Sequence, residues 1–255
     1  MSVNTFLLID ISNTFTKLAR AGRRRIGRIH RIPTPQLGPS DIRRLLRPEM
    51  AVVVCSVVPD VTRRISSAFP EAVARVGPRH AGGLAIDYPQ PSKIGADRLA
   101  NALACQRIYG APAIVVDFGT AVTFDVISQV QGGAYIGGVI APGLNMMAEY
   151  LHSRTALLPR IRLAKPTRVV GRSTRQAMLS GAVHGYRGLV REILDQIRRE
   201  NFPRERPMVV ATGGDASLLE NSLKIFDRVD PLLTLRGLQI IANHKWPREA
   251  AQRPS

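Results

Sequence analysis

Residues 10–17 read DISNTFTK and follow the apolar run Phe6-Leu7-Leu8-Ile9, and residues 115–126 read VVDFGTAVTFDV. Each stretch has the form of a buried strand that ends in Asp, turns through small and hydroxyl residues, and resumes as a second strand. A chain that builds one acidic hairpin twice is a chain of two halves on one plan. The first half reads as strands near 4–9, 15–21 and 26–32, a helix near 40–46 and a strand at 51–57. The second begins once Gly110-Ala111-Pro112 has broken the preceding helix. It repeats the order with strands at 114–117, 122–128 and 134–141, a long amphipathic helix from Arg175 to about Arg199, and an apolar strand at 208–211. No low-complexity linker intervenes. The expected domains are therefore residues 1–111 and 112–255, facing each other across a cleft, where small ligands usually bind.

Composition narrows the class. Hydrophobic residues make up 45% of the 255 and the mean hydropathy is -0.01, enough for a packed core and too much for a disordered chain. The longest apolar stretches, such as Met50 to Cys55, are far too short to cross a bilayer, so no membrane association is expected. Asp10 interrupts the early apolar run, and no signal peptide is expected. Cys55 and Cys105 lack metal-type spacing and read as buried free thiols of a cytoplasmic protein. The formal net charge is +17, with only five lysines among 36 Lys and Arg. The densest basic run is Arg23 to Arg31, followed by Arg43 to Arg47. Such a field attracts anions, but the arginines alternate with Ile and Leu and few aromatics are available for stacking. A solvated basic surface is expected, with no specific nucleic-acid partner.

Four segments carry candidate chemistry. In DISNT the carboxylate of Asp10 sits at a hairpin mouth, where backbone N–H groups and short hydroxyl side chains let a phosphate approach. Asp10 would reach that phosphate through a divalent cation or water, and Lys17 would add positive charge. A merely polar turn has much the same composition. In DFGTAVT, Asp117 ends an apolar strand, Gly119 is expected to permit an unusual backbone, and Thr120 offers a hydroxyl. Two acidic strand ends suit a metal-bound polyphosphate gripped from both ends. Thr212-Gly213-Gly214 closes another apolar strand before an apparent helix, and its glycines would let an adenine or ribose lie on the backbone. Pro89 and Pro91 impose an extended approach, Gly95 breaks it, and a helix starts near Ala96 and Asp97. Asp97 there is either a helix cap or a proton acceptor for a substrate hydroxyl, and Arg98 beside it suits a carboxylate.

In this order and spacing the segments resemble the type III pantothenate kinases of bacteria, members of the acetate and sugar kinase, heat-shock ATPase and actin superfamily. The resemblance runs from about Phe6 to Leu238. It rests on DISNTFTK, CSVVPDV (Cys55 to Val61), YPQPSKIGADRLANALA (Tyr88 to Ala104), VVDFGTAVTFDVI, YIGGVIAPGLNMM (Tyr135 to Met147), TALLP, GRSTRQAMLSGAVHGY (Gly171 to Tyr186), ATGGDASLL and LTLRGL. The most specific element is GADR, Gly95 to Arg98, followed by DFGTA. The resemblance implies an α/β fold of two ribonuclease-H-like, actin-type ATPase domains with duplicated βββαβαβα topology around a nucleotide cleft. It implies phosphoryl transfer from ATP to the primary hydroxyl of pantothenate, at the start of coenzyme A synthesis. Carried over residue by residue, Asp10, Ile11, Ser12, Asn13, Thr14, Phe15, Thr16 and Lys17 hold ATP phosphates together with Thr120. Asp97 is the proton acceptor. Tyr88, Gly95, Ala96, Asp97, Arg98 and Thr174 line the pantothenate site, and Asp117 coordinates a monovalent cation, K+ or NH4+, needed beside Mg2+. A homodimer is implied.

One departure matters. The family usually has Gly where this chain has Ser12, and a side chain there costs about 1–2 kcal/mol if the turn needs positive φ. That leaves room for a catalytically weak or inactive relative, a nucleotide-binding or regulatory accessory protein, and for a kinase acting on another hydroxyl compound. His30, His80, His152, His184 and His244 show no ligand spacing. Gly132 to Gly143 lacks the strand–GxGxxG–helix context of a dinucleotide fingerprint and reads as a close-packed strand and loop under the substrate pocket. The tail from Pro247 is expected to fray.

Overall fold

A computed structural model of the chain describes residues 3–214, 216 and 225–247. In chain order the strands of the first half are β1 (Thr5–Ile11), β2 (Phe15–Gly22), β3 (Ile26–Pro33), β4 (Met50–Ser56), β5 (Val73–Arg75) and the short β6 (Ala85–Ile86), interleaved with helices α1 (Pro39–Leu45), α2 (Pro59–Ile65) and α3 (Ala96–Tyr109). There follow β7 (Ala113–Phe118), β8 (Ala121–Ser128), β9 (Ala134–Pro142), α4 (Leu144–Ser153), α5 (Thr174–Asn201), β10 (Met208–Gly213), β11 (Arg228–Val229) and α6 (Leu233–Lys245). The helix expected after Gly214 and the tail beyond Pro247 lie outside the described residues.

The first sheet has the order β3-β2-β1-β4-β5. β1 pairs antiparallel with β2 and parallel with β4, while β2 pairs antiparallel with β3 and β4 parallel with β5. The second, six-stranded sheet repeats this as β9-β8-β7-β10-β11 with β6 added beside β9; β7 is antiparallel to β8 and parallel to β10, and β10 is parallel to β11. The duplication expected from the two acidic hairpins is thus a duplication of strand order. The chain divides into two compact units, residues 1–109, 133–135 and 232–255 in one, and residues 110–132 and 136–231 in the other. α6 counts with the first unit although it closes the sequence.

The physical reason for β1's unbroken apolar run lies in its two covered faces. Leu7, Ile9 and Ile11 pack with Leu37, Ile42, Leu45, Val61 and Ile65, most of them from α1 and α2. Phe6 and Leu8, which alternate to the other face, are as fully buried, on the side where α3 and α6 lie. Those two helices touch at Gly237, where a Cβ would run into the Ala100 backbone. Gly110, with φ +92, ends α3 in the left-handed conformation that glycine favours at such a place. In the second unit, Ile114, Val116, Phe118, Val122, Phe124 and Val126 bury against Ala182, Tyr186, Val190 and Leu194, a stripe at i, i+4 spacing along α5. The first residues of β9, Ala134 and Tyr135, pair in parallel with Ala85 and Ile86 of β6. Both cysteines are free and buried.

Two strand ends differ from expectation. Asp10 and Asp117 are each the last residue but one of their strands, so the turn begins one residue later than the sequence suggested. Asp10 is held in the ladder on both sides, opposite Lys17 and beside Cys55, and Asp117 likewise lies between Thr123 and Thr212.

Candidate active site

The first hairpin is braced by a residue that its own sequence does not contain. Asp10 is 3% exposed. Lys17 Nζ lies 3.9 Å from its Oδ2, and the Ser12 hydroxyl donates to its Oδ1 at 3.4 Å. The turn closes with Ser12 N–H donating to Phe15 O at 3.3 Å. Thr34, at the end of β3 and 2% exposed, donates its hydroxyl to Ser12 O at 2.7 Å, while its N–H donates to Thr14 O at 3.0 Å. A hydroxyl has one proton to give, so the 3.1 Å contact between the Thr16 and Thr34 hydroxyls has Thr16 as donor. These bonds fix the carbonyl side of the turn and leave Asn13 and Thr14 exposed at its tip. Arg31 stacks over the Phe15 ring, 3.7 Å from its centroid.

In the second unit the corresponding turn is shorter. Gly119 N–H donates to Ala121 O at 3.1 Å, and Gly119 and Thr120 are exposed. Gly119 does not supply the unusual backbone expected of it: its φ lies outside the left-handed region, and an added Cβ would meet nothing closer than Ala121 O at 3.4 Å. The demanding glycines are elsewhere. Gly213, at the end of β10, has φ +95, and a Cβ there would strike the backbone of Phe118 and lie 2.6 Å from Asp117 Oδ1. At Gly143 a Cβ would run into the carbonyls of Gly119 and Thr120, and Gly143 N–H donates to Thr120 O at 3.1 Å. The Asp117 carboxylate therefore sits over a floor of bare backbone, and the Thr120 turn is backed by the loop into α4.

Ser12 occupies the place in the first hairpin that Gly119 holds in the second, two residues past the strand-end Asp. The two turns differ in length and closure, so the ordinary φ of Gly119 describes the second turn alone. What the serine adds is a hydroxyl on the Asp10 carboxylate.

The third cluster is built around the start of α3. Asp97 lies in its first turn, and Oδ1 accepts from Arg98 N–H at 2.8 Å. Gly95 makes room for this: a Cβ there would stand 2.6 Å from Asp97 Oδ1. Burial pushes the Asp97 carboxyl above the ordinary carboxylate range, and the Arg98 N–H and guanidinium pull it only part of the way back. Arg98 lies 5.7 Å from the centroid of the Tyr135 ring. Tyr88 meets the same ring edge-on at 6.2 Å, and Asp87 N–H donates to Tyr135 O at 2.9 Å. Tyr88, Gly95, Ala96, Asp97 and Arg98 are thus gathered in the first unit around buried Tyr135.

The expected residues fall into separate places. Asp10 to Lys17 share one hairpin, Asp117 and Thr120 share another, and Thr174 opens α5 in the second unit, after the cap Ser173, whose hydroxyl accepts from Gln176 N–H at 3.3 Å. The sequence reading missed Thr34, Tyr135 and Gly143. Thr34, just past β3, meets the first turn because β3 runs alongside it, and Tyr135, although it opens YIGGVIAPGLNMM, meets Asp87 because β9 pairs with β6. Gly143 stood in a quoted glycine-rich segment, but its partner carbonyls are distant in sequence. Among the described residues no group of three or more His, Cys, Asp or Glu is placed to hold a metal.

Two sheets that share one 3-2-1-4-5 strand order, each with an acidic hairpin after its first strand, define a duplicated α/β fold of the actin-type ATPase architecture. Known structures agree on the fold. A conserved Baf family protein from Campylobacter jejuni superposes with a TM-score of 0.59 at 21% identity, covering 94% of this chain and 98% of that one. Component A of the (R)-2-hydroxyglutaryl-CoA dehydratase of Acidaminococcus fermentans gives 0.53 at 13% identity, with 95% and 98% covered. The family model for type III pantothenate kinase matches residues 6–196. A type III pantothenate kinase of Akkermansia muciniphila is 48% identical over 241 residues, 93% of this chain and 98% of its own length. One of Methylacidiphilum infernorum is 42% identical over 237 residues, 92% and 87% of the two lengths. The chain belongs to the type III pantothenate kinase family.

Proposed function

We propose that the protein phosphorylates pantothenate with ATP, giving 4'-phosphopantothenate at the entry to coenzyme A synthesis, and that Asp97 accepts the proton. The pantothenate hydroxyl oxygen forms a bond to the γ-phosphorus, the bond from that phosphorus to the β,γ-bridging oxygen breaks, ADP leaves, and the hydroxyl proton passes to the Asp97 carboxylate. The observation that carries this reading is the seat of Asp97: a carboxylate raised by burial, over a glycine that only just admits it, and next to Arg98, whose guanidinium lies near the Tyr135 ring that Tyr88 also meets. A base with raised pKa accepts a proton near neutral pH better than an ordinary carboxylate, a contribution of roughly 10²–10⁴-fold. Arg98 suits the pantothenate carboxylate, which its planar fork can bind bidentately. Tyr88, Gly95 and Ala96 line that pocket.

Phosphoryl transfer needs positioning and charge neutralisation more than covalent chemistry. The turn Ser12-Asn13-Thr14, exposed at Asn13 and Thr14, with Ile11, Phe15 and Thr16 behind it and Lys17, holds ATP phosphates, and in the second unit Thr120 is a separate phosphate-binding hydroxyl. Asp10 would hold Mg2+ through water and phosphate, and Asp117, over the bare floor at Gly213, a monovalent cation. When bound, these cations neutralise charge on the transferring group. ADP release that requires pantothenate, and rises when sodium is replaced by potassium, is the expected result. ADP release indifferent to pantothenate would refute the assignment.

A homodimer fits the exposed apolar side chains Met146 and Tyr150, one turn apart on α4, with Leu151 beside them. Tyr150→Asp should then shift the sedimentation coefficient to that of a monomer. A cytoplasmic location fits the free buried thiols, and among the described residues no helix is long and apolar enough to cross a membrane.

A further inference from the structure

The first unit contains a concavity that the kinase reading does not use. Its volume is about 530 Å³, and it is formed by the segment from Pro78 to Leu84 with Ala74, Ile241, His244 and Lys245. Gly82 and Gly83 take left-handed φ of 62 and 82, which glycine alone adopts without strain. At Gly82 a Cβ would lie 2.7 Å from Leu103 Cδ2 and 3.3 Å from Ile241 Cγ1, so the segment is pressed against α3 and α6. At Gly83 a Cβ would meet Arg107 Nη2 at 3.3 Å and His244 Cε1 at 3.8 Å, which brings both side chains to the mouth of the cleft.

The lining is divided by chemistry. Ala74, Ala81, Leu84 and Ile241 are buried apolar groups. Arg79, His80, Arg107, His244 and Lys245 are exposed around them. None of these five pairs with a carboxylate among the described residues. Basic side chains in the last turns of α3 and α6 complement the helix dipoles, which accounts for Arg107, His244 and Lys245. It does not account for Arg79 and His80, which come from the separate short turn Pro78–His80 and face the same space. An apolar floor with an uncompensated basic rim, in the size range of metabolite sites, matches a small molecule with a phosphate at one end and an apolar body. We propose that this cleft binds such a phosphate-bearing metabolite. It is distinct from the catalytic cluster: Arg107 and Asp97 stand at opposite ends of α3, about 15 Å apart along the axis at 1.5 Å per residue.

The test uses the whole protein and inorganic phosphate as the probe, read by the ring-proton resonances of the five histidines at fixed ionic strength. Saturable shifts at His80 and His244, with His30, His152 and His184 unmoved, are expected. The double variant Arg79→Ala/Lys245→Ala, both exposed and outside the kinase machinery, should keep wild-type turnover and lose about ten-fold or more in phosphate affinity. Shifts shared by all five histidines, static His80 and His244, or a double variant that titrates like the wild type would each overturn the assignment.

Discussion

Replacing Gly95 by Ala tests whether the position of the Asp97 carboxylate, and not merely its presence, sets the rate. The new Cβ would stand 2.6 Å from Asp97 Oδ1, against the 3.4 Å at which ordinary contact begins, so the carboxylate has to yield by about 0.8 Å. The obstructing atom is the end of a side chain, and Gly95 does not have left-handed φ, so the backbone tolerates alanine. Moving the carboxylate strains the 2.8 Å bond from Arg98 N–H, a loss on the order of 1 kcal/mol and a small change in melting temperature. A misplacement of about 1 Å at a reacting group costs on the order of 10²-fold, or about 2.7 kcal/mol of activation free energy. Steady-state ADP release with varied pantothenate measures kcat and kcat/KM, and differential scanning calorimetry confirms folding. The expected outcome is kcat down about a hundred-fold with melting almost unchanged. A folded Gly95→Ala enzyme with wild-type kcat would refute the idea that this glycine seats the base.

The glycines of the second unit should behave in the opposite way. Gly213→Ala meets backbone at φ +95 and should cost about 2 kcal/mol or more, several degrees of melting temperature, while Gly119→Ala meets only ordinary contacts and should melt like the wild type; equal losses in the two would overturn this. The acidic limb of kcat/KM should have its midpoint above the roughly 3.9 of a free aspartate, because Asp97 must be ionised to accept a proton and burial raises its pKa; a profile flat down to that value would contradict it. The same shift has a sign for stability. A carboxyl whose folded pKa exceeds its unfolded one weakens the fold at pH above both values, and the penalty vanishes at pH below both. Asp97→Asn should therefore melt higher than the wild type at neutral pH and no higher in acid, and a lower neutral melting temperature would exclude the burial penalty. Ser12→Gly removes a long 3.4 Å hydrogen bond from the Asp10 carboxylate, so it should leave melting unchanged within about 0.5 kcal/mol; a stabilisation of 1–2 kcal/mol would show that the serine is strained.

Much of this architecture was legible because both sheets are covered on two faces. The run Phe6 to Ile9 and the run Ile114 to Val116 have no polar side, so they read as central strands, and each Asp marks the place where the apolar run stops. Thr174 to Asn201 was legible through the i, i+4 stripe that faces the second sheet. α6 is not announced by its own pattern, although LTLRGL lies within it, since its partners Ala100 and Asn101 lie on a helix far away in sequence. β5 and β6 are too short for alternation to register. In the site, Asp97 and Arg98 were found through their motif, but the reason for Gly95 was not, because a glycine that admits a carboxylate looks like one that ends a loop. Thr34 and Tyr135 stayed hidden because what makes them matter is register: β3 lies against the first turn, and the start of β9 lies beside β6.

The most direct measurement is mass spectrometry of the products formed from pantothenate, ATP, magnesium and potassium by the wild-type protein and by Asp97→Asn. Time-dependent 4'-phosphopantothenate from the wild type is expected, with the rate in the folded variant lower by roughly 10²–10⁴-fold. No phosphorylated pantothenate from folded wild-type protein, or an undiminished rate from the variant, would contradict a pantothenate kinase that uses Asp97 as its base.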